Sequence, residues 1–159
     1  MNTDALEKPS ESRKIQMQNS VIAELHSDQD WLAAATVLRV LRPQLDIDSF
    51  VKDRARLTSE GYRLIGIKVN DEVVAIASYI ITPHSSYFRE LQIHDMATLE
   101  EHQSMGYGSK LLTEIDRIAS EQQCGRCFVQ SRAERHSAHE FYRKNGYQDY
   151  SLGFIKKVG

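Results

Sequence analysis

Cysteine is scarce in this chain, with 2 in 159 residues, Cys124 and Cys127. That excludes a disulfide-stapled scaffold, and without a targeting segment a reducing cytoplasm is the expected compartment. The opening stretch MNTDALEKPSESRKIQ has no apolar signal core, so secretion is not expected. Neither sign of charge dominates: 20 basic against 22 acidic residues leave −2, with a pI near 6.3. Bulk charge therefore gives no reason to expect nucleic acid or an anionic membrane as a partner. Long hydrophobic runs are also missing. The longest, Val73 to Ile81, is far too short to span a bilayer. There is no internal repeat and no low-complexity segment. What remains is a chain with 41% hydrophobic and 26% charged residues, the size and balance of one soluble globular domain.

Residues 1–17 are polar and proline-interrupted and read as a flexible tail, with the domain over 18–159. SVIAELH, from Ser20, reads as a strand. DQDWLAAATVLRVLR follows with an aspartate start and apolar residues at helical spacing (Trp31, Leu32, Ala35, Leu38), ended by Pro43. DIDSFVKDRARLTSEG reads as a second helix stopped by Gly61. YRLIGIKV and EVVAIASYII read as strands around a hairpin turn at Asn70–Asp71. FRELQIHDMAT is a further strand. GYGSKLLTEIDRIASEQQ is an amphipathic helix with Leu111, Leu112, Ile115, Ile118 and Ala119 on one side. RCFVQSR reads as a short buried strand, RHSAHEFYRKNG as a helix with a glycine C-cap, and YQDYSLGFIKK as a closing strand or strand pair. The order is that of a mixed α/β domain with one βαβ crossover.

The crossover carries the chemistry. A strand ending at Thr98, a short loop, and a helix starting near Gly106 bring several backbone N–H groups to one point. The first N–H groups of a helix have no partner inside it, and the dipole there is positive, so phosphate binds well. Glycine at 106 and 108 keeps side chains away from such a ligand, and Gln103 can add a donor. A tight strand-to-helix turn wants glycine for steric reasons too. The loop is not a Walker loop, because no Gly-Lys-Ser/Thr follows. It is not a dinucleotide fingerprint either, because the third glycine is absent.

Gln103-Ser104-Met105-Gly106-Tyr107-Gly108 resembles the Gln/Arg-x-x-Gly-x-Gly/Ala signature of the GNAT N-acetyltransferase superfamily. AHEFYRKNGY, residues 138–147, independently resembles that family's Ala-x-x-Phe/Leu-Tyr-x-x-x-Gly-Phe/Tyr helix, and the likeness spans about residues 20–157. The resemblance implies the GNAT α/β fold, a mixed central sheet of about six or seven strands with helices on both faces. It implies acetyl-CoA as cosubstrate and a primary amine as acceptor. Pantetheine would pair with free backbone groups of Met96, Ala97 and Thr98, on a strand with a bulge that splays from its neighbour. The loop and helix start, Gln103, Ser104, Met105, Gly106, Tyr107, Gly108 and Ser109, would hold the pyrophosphate.

Direct attack of an amine on a thioester needs a base for the amine and an acid for the leaving thiolate. The resemblance makes Tyr142 the candidate acid and coenzyme contact; packing of the helix on the sheet is the simpler reading of Phe141 and Tyr142 without it. Where some members carry a glutamate base this chain has Gln92, which cannot take a proton. His94 and Asp95 are the nearest candidates, with Glu90 beside them. Alternation puts Glu90, Gln92 and His94 on one face and Asp95 on the other, unless a bulge intervenes. A water chain is the alternative. Glu100 and Glu101 add negative charge near the loop, and Arg135 stands where many members have asparagine. The Cys-x-x-Cys pair has no second pair, so no metal is expected and Cys127 reads as a small core residue. Acetyl-CoA, an amine and a second copy of the chain are the partners considered; nucleic acid and membrane are not expected. A GNAT-like module that binds coenzyme A without chemistry, and a nucleotide-binding α/β protein, stay open as alternatives.

Overall fold

The computed structural model describes residues 10–159. The first half of the expected tail therefore lies outside the described residues, and its second half forms helix α1, Glu11–Gln18. Strand β1 (Ser20–Glu24) leads into α2 (Asp28–Leu38). The start of α2 is fixed by a capping box: Ser27 Oγ accepts from Asp30 N–H (3.0 Å), and the Asp30 carboxylate accepts from Ser27 N–H (3.2 Å). The expected single helix over 46–61 is two short ones, α3 (Ile47–Lys52) and α4 (Arg54–Ser59), meeting at Asp53. Then come β2 (Arg63–Val69), β3 (Glu72–His84) and β4 (Phe88–Thr98). Asn70 and Asp71 both have positive φ (50° and 66°), the backbone that a two-residue hairpin with the sheet's twist requires. A 3₁₀ turn at Glu100–His102 precedes α5 (Tyr107–Glu121), followed by β5 (Arg126–Val129) and α6 (His136–Lys144).

The sheet has five strands in the order β1-β2-β3-β4-β5, antiparallel except for the parallel β4–β5 pair. Alternating strand residues feed two cores. Leu64, Val73 and Ile76 pack with Trp31, Val37 and Leu38 of α2, while Ile65, Val74 and Ala77 pack with Leu111, Leu112 and Ile115 of α5. Trp31 is held by a hydrogen bond from its indole N–H to Leu25 O (3.0 Å) and by stacking on Phe50 (4.9 Å between centroids). The apolar stripe expected of α5 is the one that is buried, save that Ile118 is half-buried and Tyr107 joins it.

The strand count falls short of six or seven because the expected closing strand over 147–157 is not formed. The segment is strand-like in sequence but has no ladder partner, and a strand without one is not a stable element. Tyr147 packs against the α5-side core, and the Tyr150 ring lies 4.8 Å from the Arg126 guanidinium of β5. The β5 strand, expected to be buried, is half-buried along its whole length for the same reason: no strand covers its outer edge.

Candidate functional site

The site begins at an irregularity in β4. Ser78 of β3 faces Asp95, yet the next residue, Tyr79, faces Ile93, so His94 is an extra residue in β4. This bulge reverses the side-chain alternation. Before it, Leu91 and Ile93 face α5; after it, Met96 takes that side and Ala97 joins the α2 core. Asp95 therefore turns toward the α2 side, where Arg42 and Ser78 meet it, and His94 reaches the same side beside Tyr62 (6.3 Å between rings). Simple alternation had separated these two residues; the bulge brings them together.

The second feature is a splay. β5 pairs with β4 only at Glu90–Ile93, so among the described residues the β4 edge from His94 to Thr98 has no strand on that side. Met96, Ala97 and Thr98 line this open edge while their opposite edge is paired to Ala77, Ile76 and Ala75. An open edge of backbone N–H and C=O groups is what an extended amide-bearing ligand would pair with.

The third feature is the mouth of α5. Ser104 (φ 60°) and Gly106 (φ 83°) are both left-handed, which curls the loop before the helix. The first helical bond is Lys110 N–H to Gly106 O (3.1 Å), so Tyr107, Gly108 and Ser109 present N–H groups with no partner in the helix. Such a curl ending in a helix N-terminus is an anion cradle. Gln103 ties the loop back to the strand, donating from Nε2 to Thr98 O (3.2 Å). Lys110 points elsewhere: its ammonium binds Ser20 O and Oγ (3.0 and 2.7 Å). Met105 is buried beneath the loop. Gly108 has a packing reason as well, because a Cβ there would meet the Phe141 ring at 2.9 Å. The close fit of α6 on α5 thus depends on this glycine.

Tyr142 lies on α6 between Phe141 and Tyr147, with ring centroids at 5.3 and 5.6 Å. Burial pushes its phenol up; the nearby Arg135 guanidinium works against this and the Asp95 carboxylate adds to it. The phenol is therefore held protonated, and it feels Asp95 across the site. Gly146 (φ 87°) closes α6 in the left-handed conformation expected of its C-cap.

The candidate proton acceptors differ sharply. Asp95 is buried, and both its oxygens are in use. Arg42 donates to Oδ1 from Nε (3.0 Å) and Nη2 (2.6 Å), and Ser78 Oγ donates to Oδ2 (3.1 Å). Glu90 is buried farther along β4 and ion-paired with Arg126. Gln92 is half-buried and has no proton to exchange, whereas His94 is exposed. Sequence reasoning missed Arg42, Ser78 and Tyr62. They come from three separate stretches of the chain, the connection after α2, the middle of β3 and the residue before β2, and only the bulge turns Asp95 toward them. The cysteines take no part in this site. Cys127 is half-buried, and burial pushes its thiol up to about 12.

A bulged, splayed β4 followed by an anion cradle on α5 defines an acyl-CoA N-acyltransferase fold. The chain belongs to the acetyltransferase (GNAT) family, whose family model matches residues 28–147. No curated protein sequence matches it at a significant level. Among solved structures it is similar to a transcriptional regulator from Bacillus halodurans C-125 (TM-score 0.78, 19% identity, 87% of this chain and 99% of that one). It is similar to an aminoglycoside acetyltransferase from an uncultured soil metagenomic sample, in complex with sisomicin (TM-score 0.77, 14% identity, 90% and 99%). It is also similar to AAC(6')-Iy in complex with the bisubstrate analogue CoA-S-monomethyl-acetylneamine (TM-score 0.77, 13% identity, 88% and 99%). At these identities the likeness is one of fold. Among the described residues no helix is long and apolar enough to cross a membrane.

Proposed function

We propose that the protein is an acetyl-CoA-dependent N-acetyltransferase acting on a primary amine. The observation that carries this reading is the pairing of an open β4 edge at Met96–Thr98 with the anion cradle at Ser104–Ser109. The first suits an extended pantetheine arm, and the second a pyrophosphate. Bound acetyl-CoA supplies the thioester. The acceptor nitrogen attacks its carbonyl carbon, the N–C bond forms, the C–S bond breaks, and the acetyl group leaves on nitrogen.

Two protons must move. The ammonium form of the acceptor loses one before attack, and the nitrogen sheds another as the amide forms. His94 is exposed and, among the described residues, makes a ring contact with Tyr62 but no hydrogen bond or ion pair, so in this reading it receives protons directly or through water. Asp95 would have to break its bonds to Arg42 and Ser78 to do the same, and it is better read as a positioning residue. Tyr142 gives its phenolic proton to the departing thiolate and recovers one from solvent. Burial keeps that phenol protonated until the thiolate forms.

A thermal shift with acetyl-CoA, followed by an amine panel read by thiol release, tests the proposal. Tyr142→Phe keeps the ring packing and should lower kcat about 100-fold with little change in coenzyme affinity. An unchanged kcat would leave Tyr142 a packing residue. One observation favours a non-catalytic coenzyme-binding module instead: Gln92 cannot titrate and Asp95 is fully engaged. That reading expects the thermal shift without turnover of any amine.

A further inference from the structure

Arg42 lies in the connection after α2, 53 residues from the Asp95 it touches. Its partner, Asp95, is buried, and the other Asp95 oxygen is held by Ser78, which is fully buried. The Arg42 side chain itself is 57% exposed. A guanidinium carries five N–H donors in a planar fork. Asp95 engages the Nε edge, using the Nε donor and one on Nη2. The remaining donors, two on Nη1 and one on Nη2, face away from the carboxylate. A buried anion thus fixes an exposed cation in place, with its free donors directed outward. Asp95 precedes Met96, the first residue of the edge proposed to pair with pantetheine, so the fork is anchored one residue from that edge.

The surrounding charges do not favour a polycation. Tyr62 flanks Asp95 with its phenol pushed up to about 12, mainly by burial, and stays neutral. Tyr142 faces Asp95 from α6 and is also held protonated, with Arg135 close enough to act on it. His94 adds an imidazole. Asp95 is the acidic group that acts on these phenols, and its lone pairs are already engaged. Asp46, near Arg42 in the chain, is engaged too, capping α3 through Ser49 N–H (3.0 Å). Asp48 lies exposed in the first turn of that helix. An acceptor made only of amines would meet a fixed guanidinium where it needs an anion.

We propose that Arg42, braced by Asp95 and Ser78, binds a carboxylate of the acceptor, so that the substrate is a small amino acid-like amine with its carboxylate a few bonds from the attacking nitrogen. This rests on the transferase reading above. Charge-assisted bonds to a planar fork give such a site both affinity and register.

The test compares each L-amino acid with its amide and its decarboxylated amine. Calorimetry is done on protein saturated with coenzyme A, and thiol release is measured with acetyl-CoA. The wild type should prefer the carboxylate form of its best acceptor by about tenfold or more in affinity and in kcat/KM. In Arg42→Gln that preference should fall to near unity, mostly through KM, and Arg42→Lys should retain part of it. The ratio within one variant cancels any general loss of folded protein. Where Arg42→Gln leaves Asp95 unpaired and unfolds the chain, the neutral pair Arg42→Gln/Asp95→Asn serves in its place. The proposal is overturned if the decarboxylated amine binds as well as the acid, if no amino acid binds, or if Arg42→Gln improves a polyamine, which would mean that cations displace Arg42 from Asp95. Failure of the coenzyme to bind at all would instead remove the transferase reading on which the proposal rests.

Discussion

Two regions of this chain are built to different standards. The body of α2, β2–β4 and α5 is well buried: Ala35, Ile67, Ile76, Ala77 and Ile115 are 0% exposed, and Trp31 is 2% exposed. In the C-terminal part, β5, α6 and the segment after them, no residue of either named element is buried. Leu152 and Phe154 are 85% and 94% exposed. The difference follows from covering layers. β2 and β3 are sandwiched between α2 and α5, whereas β5 has one neighbour and an open outer edge. The candidate site straddles the boundary. The open β4 edge, the α5 mouth and the Arg42–Asp95 pair sit on the well-buried body, and Tyr142 sits on the half-buried arm. The residues proposed to bind coenzyme and acceptor therefore lie on the well-buried part, and the proposed acid on the part with fewer buried contacts, where local opening should be easier.

The largest expected effect is in the body. Trp31→Ala removes a buried ring and its bond to Leu25, and should cost about 3–5 kcal/mol in urea unfolding. Phe141→Ala removes a half-buried ring from the α5–α6 contact and should cost less, about 1–2 kcal/mol, with faster hydrogen exchange confined to α6. Ser27→Ala takes away the cap of α2 and should cost about 1 kcal/mol. Leu152→Ser with Phe154→Ser should stay within about 0.5 kcal/mol of wild type. If this last pair costs as much as Trp31→Ala, the two regions are not distinct, and the closing segment is packed in solution. An acid titration sharpens the comparison further. Burial opposes ionisation of Asp30, but Lys68 and the N–H groups at Ser27 and His26 outweigh it and bring the carboxyl to about 2. A carboxyl lowered on folding stabilises above its unfolded pKa, so this contribution, present above about pH 4, should fade between about pH 4 and 2. Asp30→Asn should flatten that part of the profile.

Much of the body was legible because its signals are local. The α5 stripe and the Asn70–Asp71 turn, like the Gly146 stop outside the body, each depend on residues within one or two turns of each other. So does the glycine-lined mouth of α5. The bulge at His94 was not legible as such, since it depends on how β4 registers with β3, and nothing in IHDM announces an extra residue. Arg42 and Ser78 were hidden for the same reason: each is an ordinary residue of its own element until Asp95 is turned toward them. The closing segment misled in the opposite direction. Tyr150, Leu152 and Phe154 alternate as a strand would, but alternation records only a face, and a strand also needs an edge to pair with.

The most direct test of the central claim is hydrogen–deuterium exchange with and without acetyl-CoA. The account predicts slowed exchange at residues 104–109, where the α5 mouth would grip pyrophosphate, and at residues 96–98, where the β4 edge would gain hydrogen bonds. The β1–β2 pair on the far side of the sheet should not change. Binding that leaves both segments unprotected, or no binding at all, would contradict it.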